Sequence, residues 1–84
     1  PALVVGFAAE TENVAEQAGA KRQAKGCDWM LANDVSAGTG TFGGDENTVH
    51  LIDDGGVEDW PTMTKSQVAE RLAHRIADYF SHAA

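Results

Sequence analysis

LVVGFAAETENVAEQAGAKRQAK, residues 3–25, is the stretch whose reading decides the fold class. It opens with a continuous apolar run, Leu3–Phe7, the pattern of a strand covered on both faces, as in a parallel sheet. Gly6-Phe7-Ala8-Ala9 reads as a small-residue turn, and Thr11 is placed to cap a helix running to about Lys25. Gly26 suits the left-handed residue after that helix. Val14, Ala15 and Ala18 form its thin apolar stripe, and Gly19 in mid-helix costs about 1 kcal/mol relative to alanine. A buried strand feeding a helix through a tight turn is half of a nucleotide-type α/β unit. Glu10, Glu12 and Glu16 lead the helix and Lys21, Arg22 and Lys25 end it. This gradient matches the helix macrodipole, so helix stabilisation alone accounts for it. Lys21 and Lys25 also share one helix face at i,i+4, which suits either a solvated surface or a grip on phosphate.

Working outward, Asp28–Ala32 is a second short strand, parallel to the first through a right-handed crossover. Asn33-Asp34 follow at its carboxyl end, where ligands of open α/β sheets collect, and Phe7 holds the equivalent place on the first strand. Val35–Asn47 reads as a glycine-rich loop whose large apolar residue is Phe42. Thr48–Ile52 is a third strand, Asp53-Asp54-Gly55-Gly56 a hairpin turn, and Val57–Trp60 the returning strand, ended by Pro61. Thr64-Lys65-Ser66-Gln67 fits a capping box. The helix it opens has Val68, Ala69, Leu72, Ala73, Ile76, Tyr79 and Phe80 on one side, with Glu70, Arg71, His74, Arg75 and Asp78 opposite. The fold class is therefore α/β: a Rossmann-like parallel-sheet segment with a C-terminal β-hairpin and helix.

With 84 residues and one cysteine, the chain makes at most one small domain without an internal disulfide. It opens on Pro1-Ala2-Leu3-Val4-Val5, almost inside a strand, so residues 1–84 read as an incomplete part of a larger domain. A net charge of −7 argues against duplex nucleic acid, whose phosphates require clustered Lys and Arg. No apolar run approaches a membrane span and no signal-peptide pattern is present, which favours a cytoplasmic origin. His50, His74 and His82 lack ligand spacing with Cys27, and Ser36, Ser66 and Ser81 stand in no GxSxG context. The pairs Asp53/Asp54 and Asp45/Glu46 flank glycines, which turn chemistry explains.

The ordered set GFAAET (6–11), KRQAK (21–25), ANDVS (32–36), GTFGGDENTVHLI (40–52) and the terminal TKSQVAERLAHRIADYF helix resembles the end of phosphopantothenate–cysteine ligase. That family, the phosphopantothenoylcysteine synthetases, forms in many bacteria the C-terminal half of a bifunctional decarboxylase/ligase. The resemblance implies coenzyme A biosynthesis: CTP activates the phosphopantothenate carboxylate as an acyl-cytidylate, and L-cysteine displaces CMP. It implies Mg2+ on the triphosphate, FMN only in the absent decarboxylase half, and a homodimer. The family's nucleotide contacts match Phe7, Lys21 and Lys25 here. Phe7 offers an apolar face to base or ribose, and the lysines offer mobile point charges to phosphate oxygens. Asn33 is a further ligand contact inferred from its place at a strand end.

The resemblance also sets a geometric difficulty. Lys21 stands ten residues beyond Thr11, about 15 Å down a straight helix that runs away from Phe7. One nucleotide reaches both only if it lies extended, if the helix tilts or breaks near Gly19, or if a second subunit contributes. The family's glycine-rich nucleotide segment, its asparagine for the acyl intermediate and its lysine-containing flexible loop have no counterpart in these residues. The chain alone is expected to be inactive. Two other readings stay open: a structural or dimerisation segment whose lysines never meet nucleotide, and a generic nucleotide-binding α/β domain.

Overall fold

The computed structural model describes residues 3–35 and 46–82. The elements run β1 (Val5–Glu10), α1 (Val14–Lys25), β2 (Trp29–Asp34), β3 (Glu46–Asp53), β4 (Gly56–Asp59), β5 (Met63–Thr64) and α2 (Lys65–His82). The sheet order is β1-β2-β3-β4, with β5 joined to β3. β1 and β2 are parallel, as the crossover through α1 requires, whereas β3 returns antiparallel to β2 and forms a hairpin with β4. The α/β class, the parallel pair, the hairpin and the closing helix all stand as read from the sequence.

Several boundaries differ, and the short β5 was not expected. Gly6–Ala9 is not a turn, because β1 continues through Ala8, Ala9 and Glu10, each paired in register with β2. Alanine and glutamate are poor strand formers alone, and here the ladder to Ala32, Asn33 and Asp34 holds them extended. The helix cap is Asn13, in the left-handed conformation (φ 47°) and without a side-chain cap bond, so Thr11 lies outside α1. Asn33 and Asp34 belong to β2 itself, and Glu46 and Asn47 to β3. Most of the expected 35–47 loop, with Phe42, lies outside the described residues.

Local chemistry explains the ends that fell where expected. Gly26 adopts φ 69°, with its N–H donating to the Gln23 carbonyl and that of Cys27 to the Arg22 carbonyl. The α2 capping box is reciprocal: the Gln67 N–H donates to Thr64 Oγ1 (3.2 Å) and the Thr64 N–H to Gln67 Oε1 (3.0 Å).

The sheet divides the core into two layers. Ala18 of α1 packs with Cys27, Met30, Ala32 and Ile52 on one face. On the other, Trp29, Leu31, Val49, Leu51 and Trp60 receive Val68, Leu72, Ile76 and Tyr79 of α2. Gly6 is set by the first layer: a Cβ there would meet Cys27 Sγ at 2.8 Å and Met30 Cε at 3.0 Å.

Arg71 and Arg75, expected on the solvent side of the last helix, instead border the sheet. Their guanidinium groups lie over the rings of Trp60 (5.0 Å) and Trp29 (5.3 Å). Glu58 joins them, accepting from Trp60 Nε1 at 2.5 Å and pairing with Arg75 Nη2 at 3.3 Å. The guanidinium planes are thus packed on the indoles and still charged, with Glu58 between them as counter-ion. Phe80, placed on the apolar side, is 46% exposed and meets Tyr79 edge-on.

Candidate functional site

The period of two along β1 decides where each candidate side chain goes. Val5 packs in the α2-side layer, while Ala8 packs in the α1-side layer. Phe7 follows Val5 onto the α2 side, 65% exposed at the mouth of an apolar groove of about 520 Å³. Ala9, Leu31, Asn33, Val49 and Leu72 also line that groove. Asn33 and Phe7 therefore share one site. The Asn33 amide donates to Asn47 Oδ1 at 3.2 Å, which fixes its plane at the groove wall.

Glu10 has the other parity and belongs to the α1 side. It is the one buried charged residue among those described, 9% exposed. Lys21 Nζ stands 2.6 Å from Glu10 Oε2. That oxygen is fully enclosed, and the lysine approaches it off the angles of a well-formed hydrogen bond, so the contact is best described as an ion pair. Lysine side chains on a helix lean towards its N-terminus, which is how Lys21 reaches back to the carboxyl end of β1. The 15 Å separation expected along the helix is thus shortened by the side chain itself.

The remaining basic groups differ in their work. Arg22 Nη1 donates to the Cys27 carbonyl (3.1 Å) and the Asp28 carbonyl (3.3 Å), closing the α1–β2 turn. Lys25 is exposed and has no ion-pair partner among the described residues. It stands about 6 Å further along α1 than Lys21.

The structure therefore brings Phe7 together with Asn33, and Lys21 together with Glu10, on opposite faces of the sheet. Phe7 lies about 10 Å before Glu10 along β1, so the two groups flank its carboxyl half from opposite faces without touching. Glu10 was grouped with the helix acids in the sequence. Continuing the strand through Ala9 would have given it the opposite parity to Phe7 and pointed it at α1.

Residues 1–80 match the model of the DNA/pantothenate metabolism flavoprotein C-terminal domain. The chain belongs to that family. It is 40% identical over 76 residues to the coenzyme A biosynthesis bifunctional protein CoaBC of Bacillus subtilis (strain 168), covering 89% of this chain. It is 44% identical over 73 residues to the CoaBC protein of Escherichia coli (strain K12), covering 87% of this chain. The chain spans 19% and 18% of the length of those two relatives. A crystal structure of the C-terminal domain of CoaBC superposes with a TM-score of 0.74 at 34% identity, over 94% of this chain and 38% of that one.

Among the described residues no three His, Cys, Asp or Glu side chains converge as a metal site. Glu10 is engaged by Lys21, and Asp34, its register partner on β2, has a partner of its own. Among the described residues these two carboxylates are therefore engaged within the protein rather than open to a magnesium ion. No helix among the described residues is long and apolar enough to cross a membrane.

Proposed function

We propose that this family member forms part of the CTP site of a phosphopantothenate–cysteine ligase acting in coenzyme A biosynthesis. The phosphopantothenate carboxylate attacks the α-phosphorus of CTP and pyrophosphate leaves. The amine of L-cysteine then attacks the acyl carbon, loses a proton, and expels CMP. Lys21 and Lys25 offset charge on the phosphate oxygens, as point charges do for a leaving pyrophosphate. Phe7 and the apolar groove receive base or ribose, Asn33 contributes an amide at the groove wall, and the nucleotide lies across the carboxyl end of β1. The intact protein is proposed to be a cytoplasmic homodimer, with Mg2+ carried on the triphosphate and FMN confined to a decarboxylase half.

The observation that carries this reading is the Lys21 ammonium at a strand carboxyl end, 2.6 Å from Glu10. Ligands of open α/β sheets gather at that edge. Membership in the family, and two relatives described as coenzyme A biosynthesis proteins, support it. The same ion pair favours one other reading, in which Lys21 only ties α1 to β1 and no nucleotide meets it.

The test is made on the intact parent protein. With phosphopantothenate, L-cysteine and CTP it is expected to release CMP and pyrophosphate in equal amounts and to form the amide. Equal turnover with ATP would point to a generic nucleotide site. No pyrophosphate release with either nucleotide would refute the ligase reading.

A further inference from the structure

The Glu10–Lys21 pair is lopsided. The Glu10 side chain is 11% exposed, whereas that of Lys21 is 46% exposed. The apolar layer on that face is Ala8, Val14, Ala18, Cys27, Met30, Ala32 and Ile52, and Asp34, the register partner of Glu10 on β2, lies on the same face at its edge. Burying a carboxylate there costs more than burying an apolar residue of the same size, even when it is paired. An ammonium carries three N–H donors, more than its one contact with Glu10 Oε2 occupies, and the Lys21 side chain is nearly half exposed. That contact sets the ammonium, still reachable from solvent, beside the last residue of β1.

From this we propose that Glu10 is a positioning residue: it pre-orders the Lys21 ammonium for a phosphate-bearing ligand at the carboxyl end of β1. The inference rests on the CTP reading of Lys21 given above. A lysine stem is long and loses rotamer freedom when a ligand fixes it. Glu10 holds that stem in place before the ligand arrives, so part of the ordering cost is already met. The opposing effect is also physical, since a carboxylate next to an ammonium weakens its attraction for a phosphate. The two effects predict opposite signs, which makes the inference decidable. A lysine–glutamate pair serving a nucleotide's phosphates in protein kinases shows that the positioning effect can prevail.

The experiment is a double-mutant cycle in the intact parent, with CTP affinity read by titration calorimetry and folding checked by thermal melting. Glu10→Gln keeps the shape and removes the charge. It is expected to weaken CTP binding about tenfold when Lys21 is present. In the Lys21→Ala background it should add no further loss. Glu10→Asp, which keeps the charge but shortens its reach, should fall between wild type and Glu10→Gln. If Glu10→Gln does not fold, Glu10→Asp completes the cycle, with a smaller coupling expected and zero coupling overturning the proposal. Tighter or unchanged CTP binding in Glu10→Gln overturns it, as does an equal loss in both backgrounds. In those cases a weakened Lys21→Ala would leave the CTP reading standing. Wild-type affinity in a folded Lys21→Ala protein would remove that reading and the inference together.

Discussion

A Leu51→Ala variant is expected to lose about 3–5 kcal/mol of folding free energy. Leu51 sits in the middle of β3, is 1% exposed, and packs among Trp29, Leu31, Val49 and Trp60 under α2. Its strand is hydrogen-bonded on both sides, to β2 through Leu31 and to β4 through Glu58. The surrounding backbone therefore has little freedom to collapse into the space a leucine leaves, and cavity cost adds to lost burial. The measurement is a denaturation midpoint of the domain, with Val57→Ala as the comparison. Val57 is 49% exposed, so its truncation should cost less than about 0.5 kcal/mol. Similar losses for the two variants would show that the α2-side layer is not the principal core.

Replacing Lys21 and Lys25 together by alanine in the intact parent is expected to lower CTP affinity by about a hundredfold. On the proposed CTP reading each ammonium would supply one charge-assisted contact to phosphate. The loss should shrink as salt is raised, because exposed charges are screened. Arg22→Ala is the informative comparison. It removes the same charge from the same helix, but Arg22 is bonded to the Cys27 and Asp28 carbonyls. That substitution should lower the melting temperature and leave CTP affinity within a few-fold of wild type. An Arg22→Ala loss matching the double variant would mean that net charge on α1, rather than two placed lysines, governs binding.

What could be read from the residues was whatever local chemistry controls. The Thr64/Gln67 cap, the Asp53–Gly56 turn and the Gly26 helix stop each depend on a few neighbouring side chains, and each formed where its residues stood. The parallel pairing of β1 and β2 was equally legible, because a crossover helix leaves little choice of direction. The end of β1 was not. Ala8, Ala9 and Glu10 are extended because of a ladder to residues 32–34, and nothing within the segment itself announces that partnership.

The consequence reached the site. Ending the strand at Phe7 put Glu10 with the helix acids and left Lys21 without a partner. Extending it places phenylalanine and glutamate on opposite faces, and the lysine then has a carboxylate to reach. Arg71 and Arg75 were misplaced for a related reason. A helical wheel sorts residues by polarity, whereas a guanidinium above an indole is polar and packed at once.

The separation of the two layers also distributes the chain's intrinsic spectroscopic and chemical labels. Both tryptophans, Trp29 and Trp60, lie in the layer under α2, 6% and 3% exposed. The single cysteine, Cys27, lies in the layer under α1. Indole emission thus watches the seating of one helix, and thiol reactivity watches the other. A ligand that loosens α1 while leaving α2 docked would change labelling kinetics without moving the fluorescence maximum, so the natural protein distinguishes motion on its two sides with no added probe.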